Sequence, residues 1–530
     1  MITTTQIDNT AAVSLFKMLD QEGKNRIETT KFLNQLADVG ILQDDPRIQE
    51  LFKNFNFQEQ SKKRDTLGKN EFIEILRQNA LIKKSLSKNL IIPDFETFSQ
   101  QTESIFLETK KNKKGKVADY IPQLGRVNPE QFAISICTVD GQRFSLGDSR
   151  TNFCLQSSCK PINYCLALEE LGEQKVHSHV GREPSGQSFN ELALNMKGLP
   201  HNPMINAGAM MSCSLIDRKN TIADRFDKVS KTWEALIGRK KLNFNNAVYL
   251  SERQTADRNF ALAYFMREKN AFPEHTNLTE TLEFYFQCCS MESNTYDLSV
   301  ALATLANAGT NPLTGDIIFQ PSTVQNCLSL MLSCGMYDFS GEFAFKIGLP
   351  AKSGVSGALM LVIPNVMGIS IWSPRLDELG NSVRGVEFCE RLVEQFSFHQ
   401  YDSIIGHSSK INPRRKQKEL IASNAMELIR SASHGDLDEI LRLEAEGVSP
   451  DIADYDGRTP LHLAACEGQM EVIKHLIEKK VDLNPKDRWG NTPLDDARKF
   501  NNKEISALLE RACKDYSKEN DKSVLEEVLL

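Results

Sequence analysis

Apolar residues recur along this chain in two different rhythms. Between about residues 10 and 95 they fall three and four apart, as in Val13-Phe16-Leu19 and Phe32-Leu33-Leu36, with acidic and amide residues between them. That spacing lines one face of a helix and predicts a helical N-terminal module. Later, apolar stretches run with few polar breaks and are bounded by turn residues. Phe132-Ala133-Ile134-Ser135-Ile136-Cys137 leads through Asp140-Gly141 into Arg143-Phe144-Ser145-Leu146; Ala358-Leu359-Met360-Leu361-Val362-Ile363 leads through Pro364-Asn365 into Val366–Trp372. Each reads as a β-hairpin, with a helical half between them. The expected fold is therefore α+β, its sheet closed by segments far apart in sequence, which are slow to meet.

A repeat marks the C-terminal part. Gly457, Thr459, Pro460, Leu461 and Ala464 recur as Gly490, Thr492, Pro493, Leu494 and Ala497, an offset of 33 residues that Gly435 and Gly468 share. With Thr459-Pro460-Leu461-His462-Leu463-Ala464, this period resembles the ankyrin signature. Such short repeats must lean on one another, on the central domain or on another subunit. His462 reads as a helix-capping histidine rather than a ligand.

Near the N-terminus, the segment from Asp20 to Lys31 echoes a calcium loop but fails as one. Lys24 takes a ligand position, Asn25 stands where glycine is required, and Lys31 replaces the closing glutamate. The module is expected to be metal-free. The basic runs Lys110–Lys116 and Asn412–Lys418 read as solvated joints. These markers divide the chain into a helical module (1–108), a central domain (117–405), the repeats (420–514) and a polar tail (515–530).

Candidate chemistry concentrates at Phe153-Cys154-Leu155-Gln156-Ser157-Ser158-Cys159-Lys160-Pro161. Pro161 marks a helix start, and a lysine three residues after a serine lies on the same helical face, placed to take the hydroxyl proton. The lysine must lose its own proton first, which burial among Phe153, Leu155 and Tyr164–Leu168 would favour. A Ser-x-x-Lys tetrad is common by chance. Lys352-Ser353-Gly354, ahead of the second hairpin, makes the pair resemble serine β-lactamases and penicillin-binding proteins, in which such a strand faces the Ser-x-x-Lys helix.

Composition narrows the classes. A net charge of −7 and a pI near 5.9 argue against a nucleic-acid partner, and no apolar run is long enough for a transmembrane helix. Twelve scattered cysteines read as reduced thiols of an intracellular protein. The first 25 residues hold acidic residues and no arginine, so no mitochondrial presequence is visible.

The order of modules, with Asp119–Leu124, His201–Ala209, Ser251-Glu252-Arg253, Asp257–Phe260, Cys334–Asp338 and Lys352–Val355, resembles the phosphate-activated, animal-type glutaminases along nearly the whole chain. The resemblance implies a β-lactamase-like catalytic domain between an EF-hand-like module and ankyrin repeats. It implies that Ser157 attacks the side-chain amide of glutamine, giving a γ-glutamyl ester that water hydrolyses to glutamate. Lys160 would be the base, Tyr337 and Tyr120 would assist proton transfer, and the Ser157 and Val355 N–H groups would form the oxyanion hole. Asn206, Glu252, Asn259 and Tyr285 would recognise substrate, with Glu252 facing the ammonium and neutral donors the carboxylate. By themselves, Asn206 and Asn259 would read as turn caps.

Residues 189–199 resemble the family's gating loop, with Phe189, Leu192, Leu194, Asn195 and Lys197 as its markers. Ala193 and Asn195-Met196-Lys197-Gly198 depart from the common vertebrate pattern, as Ser158-Cys159 does inside the tetrad. The resemblance further implies a homotetramer, no metal or organic cofactor, inorganic phosphate as activator, a protein partner for the repeats, and a mitochondrial location, with the cytosol as the alternative. Two other readings stand beside it: a serine hydrolase acting on β-lactams or peptides, which export signals would usually accompany, and an inactive scaffold.

Overall fold

The computed structural model describes residues 12–13, 15–17, 19–20, 23–54, 66–186, 191–404, 409–414, 417–445 and 448–514. The chain divides into two compact units, 1–414 and 415–530.

The first unit opens with the helical module. Strands β1 (Arg26–Glu28) and β2 (Thr66–Gly68) pair antiparallel ahead of the Thr29–Asp38 and Lys69–Gln78 helices, around a core of Phe16, Phe32, Phe72 and Ile75. Asp20 spends its carboxylate on the backbone N–H groups of Lys24 and Asn25, at 2.9 Å each. Asn25 takes a left-handed φ of 55°, so asparagine serves at the turn for which sequence reading required glycine.

Both predicted hairpins form. β3 (Ala133–Thr138) pairs with β4 (Arg143–Gly147), and β9 (Ala358–Ile363) with β10 (Met367–Trp372). They join through β3 and β10, with Ile136 opposite Ile369, and β8 (Ala351–Ser353) adds to the far edge, giving the order β4-β3-β10-β9-β8. The strands read as near-continuous apolar runs because both faces are covered. Leu359, Leu361 and Ile363 point to one side with Phe98, Phe106 and Phe388, whereas Met360 and Val362 face the helical half. On that side the Thr295–Ala306 helix lies on the sheet so closely that a Cβ on Gly368 would come within 2.3 Å of Leu302 Cβ.

The module docks on the β3–β4 turn. Gln142 Nε2 donates to Val39 O and Ile92 O at 3.0 Å each, and Arg143 N donates to Gly40 O at 2.7 Å. Asp44 accepts from Arg143 Nη2 (2.8 Å) and from the Tyr296 hydroxyl (2.7 Å). The lysines of the first basic stretch, Lys110, Lys111, Lys113, Lys114 and Lys116, are exposed, as a solvated joint requires, yet the segment is tied to the domain. Lys110 ends the Phe95–Lys110 helix, which packs on the sheet, and Asn112 is fixed by Glu387 and Arg384 at 2.6 and 2.7 Å.

The second unit stacks the helices Gln417–His434, Leu437–Ala445, Pro460–Glu467, Met470–Glu478 and Pro493–Lys499 around a core that includes Leu428, Leu461, Ile473 and Ala497. The repeats thus lean on one another. Gly435 and Gly468, one period apart, both take left-handed φ at helix ends, as C-terminal caps do. His462 Nδ1 accepts from Thr459 N at 3.1 Å, the capping role expected of it.

Candidate active site

Ser157 belongs to a 3-10 turn, Gln156–Cys159, that links the short strand β5 (Phe153–Cys154) to the Lys160–His177 helix. β5 pairs with β7 (Met291–Ser293), which also pairs with β6 (Asn243–Phe244). Pro161 lies in the first turn of the α-helix, as expected, but Ser157 precedes that helix rather than opening it. The face-sharing argument survives, because residues three apart eclipse in a 3-10 turn. Gln156 enters the turn at a φ of 49°, a strained value for a side-chain-bearing residue.

Lys160 is fully buried, and its Nζ donates to Asn206 Oδ1 at 2.7 Å. Asn206, at the start of the Asn206–Leu215 helix, donates through Nδ2 to Asn259 Oδ1 at 3.0 Å and accepts from the Tyr285 hydroxyl at 3.3 Å. Neither asparagine is merely a turn cap. Burial lowers the Lys160 pKa to about 8, against weaker opposition from Cys289, Cys159 and Glu252. The amine thus yields its proton near neutrality, and burial rather than a neighbouring cation causes this.

Glu252, on the buried side of the Asn246–Gln254 helix, accepts from Gln156 Nε2 at 3.2 Å. Burial raises its pKa to about 7, with the Gln156 bond and the Lys160 charge acting the other way. Tyr337 opens a 3-10 turn after the Pro321–Cys334 helix with a φ of 55°. Burial pushes its phenol pKa up, and a hydrogen bond with Ser157 opposes the rise. Tyr120 is 54% exposed as a residue, yet burial of its phenol, and after it the nearby Glu252 and Tyr337, raise its pKa. Its ring therefore stands at the rim with the hydroxyl end turned inward.

The Lys-Ser-Gly segment closes the site from the sheet. A Cβ on Gly354 would lie 2.8 Å from Ser158 Oγ and 3.1 Å from Leu155 O, so this position admits little more than hydrogen. Val355 follows, packed with Tyr337, Cys154 and Leu376.

Hydrogen bonds and packing thus bring Ser157, Lys160, Asn206, Glu252, Asn259, Tyr285, Tyr337 and Val355 into one cluster. Of the loop markers, Phe189 lies outside the described residues. Leu194 packs against the helical core, Leu192 and Lys197 are exposed, and Asn195 Oδ1 closes a turn by accepting from Lys197 N and Leu199 N at 2.9 and 3.1 Å. Sequence reading missed Gln156, whose amide reaches Glu252; its position immediately before the candidate nucleophile was the available signal. All twelve cysteines are free thiols, and among the described residues no group of three or more His, Cys, Asp or Glu side chains is arranged to hold a metal ion.

An antiparallel sheet beside a helical half, with a Ser-x-x-Lys turn facing a Lys-Ser-Gly strand, defines the class: an α+β domain whose layout resembles that of serine β-lactamases and penicillin-binding proteins. Residues 115–401 match the glutaminase family model, residues 11–93 an EF-hand domain and residues 428–520 three ankyrin repeats. A putative glutaminase 2 of Caenorhabditis elegans is 45% identical over 514 residues, covering 94% of this chain and 85% of that protein. A mitochondrial liver-isoform glutaminase of Mus musculus is 45% identical over 492 residues, covering 92% and 82%. The solved structure of the probable glutaminase ybaS superposes with a TM-score of 0.55 at 36% identity, covering 57% of this chain and 97% of that one. The chain belongs to the glutaminase family and is an enzyme of that family, carrying EF-hand and ankyrin modules. Among the described residues no helix is long and apolar enough to cross a membrane.

Proposed function

We propose that this chain hydrolyses the side-chain amide of L-glutamine to L-glutamate and ammonia through an ester on Ser157. The observation that carries the mechanism is a buried lysine with its pKa lowered to about 8, three residues from a serine whose hydroxyl also meets Tyr337. Ser157 Oγ attacks the amide carbon as its proton passes to the Lys160 amine. The C–N bond then breaks, and the nitrogen takes a proton from the Lys160 ammonium, with the Tyr337 phenol as relay, and leaves as ammonia. Water attacks the ester as its proton passes to the Lys160 amine; the ester C–O bond then breaks, the Lys160 ammonium gives that proton to Ser157 Oγ, and glutamate leaves. Ser157 N–H and Val355 N–H receive the oxyanion; a donor of this kind lowers the barrier by about 3 kcal/mol. Glu252 pairs with the substrate ammonium, Asn206, Asn259 and Tyr285 hold its polar groups, and Tyr120 stands at the mouth.

Family membership supports glutamine as the substrate. The family resemblance extends the reading to a homotetramer, to phosphate as activator acting through the 189–199 loop, to catalysis without metal or organic cofactor, and to a mitochondrial compartment, the location named for the liver-type relatives. The repeats offer a surface to a protein partner. The test is ammonia release from glutamine and from asparagine across a phosphate series, with Ser157→Ala alongside. Phosphate-stimulated release from glutamine, lost in Ser157→Ala, is the expected outcome. Full activity in Ser157→Ala would overturn the nucleophile, and silence throughout would overturn the activity.

A further inference from the structure

Lys352 has no part in the reaction as described, yet its surroundings are unusual for a lysine. It sits in the middle of β8 with no exposed surface. The titratable groups that face it are Lys160 and the thiols of Cys159, Cys289 and Cys334. Among the described residues it makes no ion pair with a carboxylate. A buried lysine facing a second lysine destabilises a fold, and an apolar side chain would serve the strand better. Its amine does two things. It donates to Ser353 O at 2.7 Å, and it lies 4.6 Å from the centre of the Tyr337 ring.

The Tyr337 ring needs such a support. Its backbone holds a left-handed φ of 55°, a conformation a tyrosine keeps only when its surroundings impose it. β8 supplies much of that constraint. Ser353 N donates to Gly335 O at 3.1 Å, and Gly335 lies so near Ala351 O that a Cβ there would approach within 1.7 Å. The ring also runs along Gly380, where a Cβ would stand 3.7 Å from Tyr337 Cε2. The amine is a polar contact on the ring face, and an N–H or ammonium group is attracted to the electron-rich face of an aromatic ring.

We propose that Lys352 is a positioning residue: its amine, tied to the Ser353 carbonyl, seats the Tyr337 ring and holds the phenol hydroxyl against Ser157. The proposal rests on the glutaminase reading above. Its consequence is a coupling between two side chains, because Lys352 acts on turnover only through the hydroxyl it aims.

The test is a double-mutant cycle on full-length enzyme: wild type, Lys352→Met, Tyr337→Phe and the pair, each with kcat and KM for glutamine. Displacing a proton-transfer group by a fraction of its reach costs up to about 100-fold in rate. Lys352→Met is therefore expected to lower kcat about 30-fold with KM within about threefold of wild type, and to lower kcat less than about threefold in the Tyr337→Phe background. Equal losses in both backgrounds, or wild-type kcat in Lys352→Met, would overturn the proposal. Should Lys352→Met fail to fold, Lys352→Leu, which likewise lacks an N–H donor, takes its place in the cycle under the same two criteria. Wild type that releases no ammonia would instead overturn the glutaminase reading, and this proposal with it.

Discussion

The acid side of the pH profile offers a demanding test of the site, because two groups must lose protons for it to work. In the proposed mechanism Lys160 has to be neutral to accept from Ser157, and Glu252 has to be ionised to receive the substrate ammonium. Burial moves the two in opposite directions, the lysine down to about 8 and the glutamate up to about 7. With those values only about one enzyme in twenty carries both correct forms at pH 7, and kcat/KM rises roughly fifty-fold from pH 6 to 7 and roughly tenfold from pH 7 to 8. Glu252→Gln removes one of the two ionisations. The rise from pH 6 to 7 should then fall to roughly ninefold, the slope of a single group. Its midpoint should also move below that of Lys160 in wild type, since the Glu252 charge is one of the effects that raise the lysine pKa. The level should drop as well. Leaving an ammonium buried without its carboxylate costs about 3–4 kcal/mol, or roughly 10²–10³-fold in kcat/KM. The assay is kcat/KM for glutamine between pH 6 and 9 at fixed ionic strength and saturating phosphate. A Glu252→Gln profile that keeps the two-proton slope, or a loss of less than about tenfold, would refute the assignment of Glu252 to the ammonium.

Two further predictions concern the modules. Asp44→Ala takes from Arg143 and Tyr296 the carboxylate they share, at 2.8 and 2.7 Å. Because Asp44 is half-exposed, we expect a loss of about 2 kcal/mol rather than the full value of a buried pair, read as a lower Tm and faster hydrogen exchange in the 133–147 hairpin. His462→Ala removes the acceptor for Thr459 N, and Nε2 no longer reaches Asn491 O, now 3.2 Å away. The repeat unit should lose about 1–2 kcal/mol, with its unfolding transition moving and that of residues 1–414 unchanged in a calorimetric scan; a shift of both would count against the reading.

Both hairpins could be read before the structure because each couples an apolar stretch to a local turn, and the repeats because identical residues recur at a fixed offset. Ser157, Lys160 and the Lys-Ser-Gly segment were legible for a similar reason, since their spacing carries the chemistry. The parts that were not legible are non-local. Nothing local to Gln156 or Tyr337 announces a left-handed backbone, which arises from the packing of the turns that bear them. The lysines after the Phe95–Lys110 helix are solvated, as their composition suggests, but composition reports charge and not partners: Asn112 among them is fixed by residues more than 270 positions away. The docking of the helical module through Asp44, Gly40 and Gln142 is invisible in the same way.

That non-local character ties catalysis to completion of the fold. The site gathers two lysines and a glutamate whose side chains are buried, an arrangement that opposes stability unless every polar contact is made. Those contacts come from both halves. Lys160 and Glu252 are held by Asn206 and Gln156 in the helical half, whereas Tyr337 and Gly354 meet Ser157 and Ser158 only when β8 is in place. β8 pairs with β9, and the second hairpin reaches the first only through the β3–β10 ladder. A fragment carrying one hairpin would hold at most part of this set, leave buried amines without acceptors, and lose the low-dielectric setting that lowers the Lys160 pKa. Such fragments should therefore be inactive even where they keep Ser157 and Lys160 together. Three residues of sequence place the nucleophile beside its base, and closure of the whole sheet makes that base usable.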